Sequence, residues 1–243
     1  MIERKKTKIV ATLGPSTDTP QIIEKMILEG VDVFRINFSH ADHSEVKNRI
    51  KMIREISEKT QSNTSILADL QGPKLRIGKV KEGVRVEPGD LVTFQNGENF
   101  LGNKKKVHMN YKNFSRDVKP GERVLLDDGK LIFEIVSTDK KSKVEAKVIQ
   151  GGSLKSKKGV NLPNTALSLP ALTTKDIIDA EFAIKQNVDW IALSFVRNSN
   201  DILDLKKLIE QHADFKIPII AKIEKPEGIE NIDKIISYCD GLM

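Results

Sequence analysis

Two hydrophobic periodicities share this chain and divide it into three parts. Between residues 8 and 70, short apolar runs alternate with stretches whose apolar positions recur every three or four residues. Lys8–Leu13, Val31–Phe38 and Ser65–Leu70 read as strands. Between them, Ile22, Ile23, Met26 and Ile27 follow a helical period, as do Val46, Ile50 and Ile53. Thr19 or Thr17 supplies the N-cap of the first helix, and Gly30 ends it. Strands separated by helices imply right-handed crossovers and a parallel sheet.

The helical period disappears at Gly72-Pro73. Leu91–Gln95, Val124–Asp127, Leu131–Ser137 and Val144–Gln150 are β-rich, separated by turn signals such as Pro88-Gly89-Asp90, Pro120-Gly121-Glu122 and Asp128-Gly129. The spacing predicts an all-β insertion entered at Pro73 and left through Pro163 and Pro170. Strand–helix alternation then resumes. Thr174 caps a helix bearing Ile177, Ile178, Phe182 and Ile184, and Trp190–Val196 forms a fourth strand. Asn198 or Ser199 opens a helix bearing Ile202, Leu205 and Leu208. Ile217–Glu224 forms a fifth strand, and Pro226 opens a helix bearing Ile229, Ile232, Ile235 and Ile236. Gly241-Leu242-Met243 reads as the start of a sixth strand.

Five strands with a sixth beginning do not close a parallel sheet, whereas eight would. The expected fold is therefore α/β. It is a partial (β/α)8 barrel of five to six strands, with an all-β barrel domain inserted after the third. The parts are residues 1–72, 73–170 and 171–243.

Composition narrows the picture. The chain has 243 residues, 39% hydrophobic and 30% charged, and no apolar run reaches membrane-span length. The charged opening, Met1 to Lys6, is unlike a signal peptide. The single cysteine, Cys239, reads as a core thiol, so a cytoplasmic location is expected. A net charge of +6 permits nucleic-acid binding, but aromatic content of 5% provides no base-stacking platform. His43, His108 and His212 read as surface residues. The expected partner is a small anionic substrate, with neither nucleic acid nor membrane.

Polar groups gather where the strands end. The strand residues Ile219-Ile220-Ala221 lead into Lys222 and Glu224, which point to one face. A cation beside a metal-competent carboxylate suits phosphoryl or enolate chemistry. Arg35, Asn37 and Ser39 alternate with Ile36 and Phe38, Asp69 ends the third strand, and Ser194-Phe195-Val196-Arg197 ends the fourth. Such groups inside a barrel cost a few kcal/mol each unless paired. Barrel enzymes keep their active sites at this rim.

These residues carry a resemblance that covers the whole chain. Lys6-Thr7-Lys8-Ile9-Val10-Ala11-Thr12-Leu13-Gly14-Pro15-Ser16, Phe34-Arg35-Ile36-Asn37-Phe38-Ser39-His40, Lys158-Gly159-Val160-Asn161-Leu162-Pro163 and Ile220-Ala221-Lys222-Ile223-Glu224 resemble pyruvate kinase. The resemblance implies phosphoryl transfer from phosphoenolpyruvate to ADP, giving pyruvate and ATP. It implies that Arg35 contacts the transferring phosphate, that Lys222 stabilises charge on the phosphoryl group and the enolate, and that Glu224 is a ligand of Mg²⁺ or Mn²⁺. Asn37, Phe38, Ser39, His40, Arg76 and Lys158 match nucleotide-contacting positions, with Lys158 delivered by closure of the inserted domain. A full-length homotetramer is also implied.

Two departures qualify the resemblance. Many family members have a glutamate where this chain has Lys74, and bind K⁺ through groups matching Asn37, Ser39, Asp69 and the carbonyl of Leu70. A cation about 4 Å from a carboxylate gains roughly 4 kcal/mol at an effective dielectric near 20, before desolvation. Lys74 is therefore expected to replace K⁺, making activity K⁺-independent. The family's second acidic metal ligand and a proton-delivering threonine lie beyond the position of Met243. The chain alone is thus expected to be inactive. A barrel aldolase acting on pyruvate-type enolates would lack the β-insertion and the Lys222/Glu224 pair. A catalytically silent nucleotide-binding or interaction module is the alternative of a different class.

Overall fold

The computed structural model describes residues 6–243; the charged opening before Lys6 lies outside the described residues. The chain divides into two units: the residues up to Pro73 together with Pro170–Met243, and Lys74–Leu169. The first unit starts with β1 (Val10–Thr12), α1 (Pro20–Leu28), β2 (Val33–Asn37), α2 (His43–Lys59) and β3 (Ser65–Asp69). The second holds β4 (Arg85–Val86), β5 (Leu91–Gln95), β6 (Lys106–His108), α3 (Phe114–Asp117), β7 (Arg123–Leu126), β8 (Leu131–Thr138), β9 (Lys143–Gln150), β10 (Gly152–Ser153) and β11 (Val160–Asn161). The first unit resumes with α4 (Thr174–Lys185), β12 (Trp190–Leu193), α5 (Ser199–His212), β13 (Ile219–Ala221), α6 (Pro226–Glu230), α7 (Ile232–Ile236) and β14 (Gly241–Leu242).

Six strands of the first unit form an all-parallel sheet in the order β1-β2-β3-β12-β13-β14. Asn37 lies opposite Asp69, Asp69 opposite Ala192, and Leu193 opposite Ala221. This register brings the C-terminal ends of β2, β3, β12 and β13 side by side. The helices pack their apolar stripes on the sheet: Ile23 and Ile27 from α1, Val46, Ile50, Ile53 and Ile56 from α2, and Ile202 and Leu205 from α5 are all buried.

The caps refine the sequence reading. Thr19 caps α1, with Pro20 at its first position, while Thr17 belongs to a preceding 3-10 turn. Thr173, not Thr174, caps α4, because only Thr173 has an acid three residues on: Asp176 returns the bond in a capping box. Asn198 and Asp201 make the same box on α5. The helix expected over Ile229 to Ile236 is broken into α6 and α7 at Asn231, whose side-chain amide donates to the carbonyls of Arg197 and Glu227.

In the second unit, a sheet ordered β11-β7-β8-β9-β5-β6 is antiparallel except for the β5–β6 pair, and β4 pairs separately with β10. Its core includes Phe94, whose ring meets Phe133 edge-on at 5.2 Å and Phe114 at 5.9 Å. Phe114 comes from α3, a single turn too short to show a helical period. His108 is buried on β6 rather than exposed, its Nε2 3.1 Å from the carbonyl of Gly97. His43 is paired rather than free at the surface, with Nε2 2.8 Å from Asp179 Oδ1. His212 is exposed, as expected, with its Nδ1 3.0 Å from the carbonyl of Leu208. Cys239 is half-buried against the core, in a turn beyond α7. Among the described residues, no helix is long and apolar enough to cross a membrane.

Arg49 on α2 secures the turn before α1 by a bidentate grip on Asp18, with Nε to Oδ1 and Nη2 to Oδ2 both 2.7 Å. These hydrogen bonds hold the Asp18 carboxyl below its usual range. The folded pKa lies below the unfolded one, so the stabilisation is complete above about pH 4 and is lost as pH falls through the lowered value. Asp18→Asn is expected to reduce unfolding free energy by about 1 kcal/mol at pH 7. In urea titrations across pH, the gap between variant and parent should close in acid; a constant gap would contradict the pairing.

Candidate active site

Asp69 ends β3 with its side chain only 2% exposed. Two cations converge on it from opposite sides. Arg35, on β2, donates from Nε to Asp69 Oδ2 at 2.7 Å, and its Nη2 contacts the same oxygen. Arg35 Nη1 donates to Thr12 Oγ1, at the end of β1, at 2.8 Å. Lys222 donates from Nζ to Asp69 Oδ1 at 3.1 Å and to Ser194 Oγ at 2.9 Å. Ser194 donates its own hydroxyl proton to the Leu70 carbonyl at 2.6 Å. Glu224 completes the group: Oε1 lies 3.6 Å from Lys222 Nζ, and Oε2 accepts the Phe195 N–H at 2.9 Å.

The strands are shorter than periodicity suggests, and the site is built partly by the residues just past their ends. β13 stops at Ala221, so Lys222 and Glu224 lie beyond it. Their place is kept by the Lys222 N–H to the Leu193 carbonyl, 3.0 Å, and the Val196 N–H to the Lys222 carbonyl, 3.2 Å. β12 stops at Leu193, and Phe195 adopts φ +57°, a strained conformation for a bulky residue that aims its N–H at Glu224. Gly72, at φ +66°, passes so close that a Cβ there would lie 2.9 Å from Ser194 Cβ and 2.8 Å from Phe195 Cδ2.

The Asn37–His40 segment departs from the expected alternation. β2 ends at Asn37, whose Oδ1 accepts the Ser39 N–H at 2.9 Å and starts a 3-10 turn. Ser39 therefore does not share a strand face with Arg35 and Asn37. Phe38 is fully buried, so it offers a ligand only its backbone. The side chain of His40 lies outside the described residues. Arg76 and Lys158 belong to the second unit. There, Arg76 pairs across a bridge with Gly159 and its Nη1 donates to the Lys157 carbonyl at 3.2 Å. Lys158 Nζ lies 2.9 Å from Asp127 Oδ1, and this bond is the main reason the Asp127 carboxyl sits below its usual range. Lys74 has no carboxylate partner among the described residues. Burial lowers its pKa, and the charge of Arg76 lowers it further.

Two cations, Arg35 and Lys222, stand against two carboxylates, Asp69 and Glu224, so the cluster is neutral. Adding a polyanion to it calls for extra positive charge. Glu224 fits as one ligand of a hard divalent cation, which takes one or two carboxylates together with water and substrate oxygens. Asp69 is committed to Arg35 and Lys222. Among the described residues, no three acidic, histidine or cysteine side chains gather into a fuller metal site.

Thr12, Ser194 and the Phe195 backbone join the site although the sequence pattern assigns them no role in it. The polar residues closing the fourth strand mark Ser194 as worth attention, but nothing in the pattern reveals the φ of Phe195.

A parallel α/β sheet thus carries a neutral four-charge cluster at its C-terminal rim. Residues 4–243 match the family model described as pyruvate kinase, barrel domain. Relatives named pyruvate kinase include one from Clostridium perfringens, 40% identical over 98% of this chain and 50% of its own length. One from Staphylococcus saprophyticus is 44% identical over 98% and 41%, and one from Geobacillus stearothermophilus 40% over 99% and 41%. The chain belongs to the pyruvate kinase family. It spans about half the length, or less, of these relatives.

Gly72→Ala tests the close packing behind Ser194. It is expected to cost about 1–3 kcal/mol of unfolding free energy, from left-handed strain plus overlap. Gly83→Ala, at φ +74° with nothing within 4 Å of its added Cβ, isolates the strain alone. Urea unfolding should show a larger loss for Gly72→Ala; equal losses would contradict the packing.

Proposed function

We propose that this chain carries the phosphoenolpyruvate- and metal-binding part of an enzyme that makes pyruvate and ATP from phosphoenolpyruvate and ADP. The observation that carries this reading is the meeting of Arg35 and Lys222 on one buried carboxylate, with Glu224 beside Lys222. In the reaction, an ADP β-phosphate oxygen bonds to phosphorus as the bond from phosphorus to the enol oxygen breaks. The enolate then takes a proton at carbon. Arg35 holds the phosphoryl oxygens, and Lys222 lies against the oxygen on which enolate charge develops. Asp69 fixes both cations without touching substrate. Preformed charge of this kind needs no reorganisation when the negative charge moves.

Glu224 would hold Mg²⁺, or Mn²⁺, which supplies charge neutralisation on the phosphoryl oxygens. Asn37, Ser39, His40 and the Phe38 backbone, with Arg76 and Lys158, are assigned to the nucleotide. K⁺ is not required in this reading. The candidate donors for it already serve the protein: Asn37 Oδ1 accepts from Ser39, Asp69 from two cations, and the Leu70 carbonyl from Ser194. Lys74 is assigned the remaining positive charge. The parallel sheet is read as part of a (β/α)8 barrel, the second unit as an inserted β-barrel, and the whole protein as a cytoplasmic homotetramer. Its partners are phosphoenolpyruvate and ADP or ATP, rather than nucleic acid or membrane. With Glu224 as the one carboxylate assigned to the metal among the described residues, the chain is read as inactive alone.

The test is a coupled pyruvate assay. The 243-residue chain alone should give no turnover, whereas a chimera in which it replaces the matching half of the C. perfringens relative should form pyruvate. Lys222→Met in the chimera should lower kcat by at least about 10²-fold, and activity should persist without K⁺. A folded chimera lacking activity, or one indifferent to Lys222→Met, would overturn the function; strong K⁺ activation would overturn only the role given to Lys74.

A further inference from the structure

The Asn37–His40 turn does little to hold itself in place. Its closing bond, from the Ala41 N–H to the Phe38 carbonyl, is 3.5 Å long, at the limit for a hydrogen bond. Asn37 Oδ1 holds its first N–H. The buried Phe38 ring packs against Phe182 and His43, with centroids 6.3 and 6.4 Å apart, and a further anchor comes from a distant helix. Lys175, on the first turn of α4, donates from Nζ to the Phe38 carbonyl at 2.8 Å. The same ammonium pairs with Asp179, one helical turn on, whose side chain is only 5% exposed. The other oxygen of Asp179 lies 2.8 Å from His43 Nε2, and the His43 ring stacks on Phe182 with centroids 4.1 Å apart. His43 opens α2, directly after the turn. The turn is therefore gripped at its carbonyl and at the helix it leads into, by one face of α4.

The adjacent residue of α4 performs a parallel task. Asp176 is fully buried, and its Oδ1 accepts the N–H of Gly72, the residue packed against Ser194. Two segments at the rim are thus indexed to the same helical turn.

We infer that Lys175, oriented by Asp179, is a positioning residue for nucleotide binding: it acts through the Phe38 carbonyl to set the backbone of Asn37–His40, without touching the nucleotide. The inference rests on the assignment of that turn to the nucleotide. It separates Lys175 from Arg35 and Lys222, which face Asp69 and are assigned to phosphoenolpyruvate. The Lys175 side chain is 43% exposed, so replacing it leaves no large cavity. Asp179, more deeply buried, can be replaced by an isosteric amide that keeps the bond to His43 but loses the charge facing Lys175.

The experiment measures two affinities on the 243-residue chain by calorimetry: ADP with Mg²⁺, and phosphoenolpyruvate with Mg²⁺. Lys175→Met should weaken ADP binding about tenfold, the scale of one charge-assisted hydrogen bond, and leave phosphoenolpyruvate binding unchanged. Asp179→Asn should shift ADP binding in the same direction, and Lys175→Arg should restore most of it. Undiminished ADP affinity in Lys175→Met, or parallel loss of both ligands, would overturn the inference. If the parent chain binds phosphoenolpyruvate but not ADP, the nucleotide assignment itself falls and the inference with it.

Discussion

A carboxylate whose side chain is only 2% exposed must be matched by cations, because an unpaired charge in such a place costs several kcal/mol. Asp69 is that carboxylate, and much of the first unit's rim can be understood as its counter-charge. Arg35 reaches it from one neighbouring strand. Lys222 reaches it from beyond β12, with Ser194 as an intermediate rest. The pairing contributes little net stability compared with an apolar replacement, since both partners are also desolvated. Its contribution is placement: two cations are held fixed and facing the same space before any ligand arrives.

The parallel register makes this meeting possible. Each strand enters at the same end, so each C-terminal residue arrives at the same level, and side chains distant in sequence become neighbours. The helices fix the height of each rim segment through their caps. α4 ties down the Gly72 backbone through Asp176, and α6 starts at Pro226, immediately after the residues that carry the chemistry. The non-repetitive residues between strand and helix have the strained or crowded backbone, as at Phe195 and Gly72. At these two positions the backbone provides an N–H for Glu224 and a close approach to Ser194 that regular structure cannot.

Much of this is legible in the residues themselves. The alternation of periods exposes the division at Pro73 and Pro170, and the apolar stripes of α1, α2 and α5 can be read position by position. Lys222 and Glu224 stand out because charge at the end of an apolar strand is expensive without a purpose. Three things are hidden, each for a physical reason. Alternation continues through Ser39 and suggests a strand face, but Asn37 captures its N–H and bends the chain away. Thr174 has the right chemistry for a cap, yet its neighbour Thr173 has the reciprocating acid. Lys175 cannot be linked to Phe38 from sequence at all, since a long flexible side chain reaching a carbonyl 137 positions away leaves no periodic trace.

Arg35 and Lys222 are coupled through the charge of Asp69. A double-mutant cycle on unfolding free energy measures this coupling directly, combining Asp69→Asn with Lys222→Met and, separately, with Arg35→Met. Asp69→Asn should be strongly destabilising, because it removes the carboxylate that Arg35 and Lys222 share and leaves Lys222 only Glu224, and either second substitution should restore part of the loss. The expected coupling is about 1–3 kcal/mol in each cycle. Additive losses, with no restoration by either partner, would contradict it.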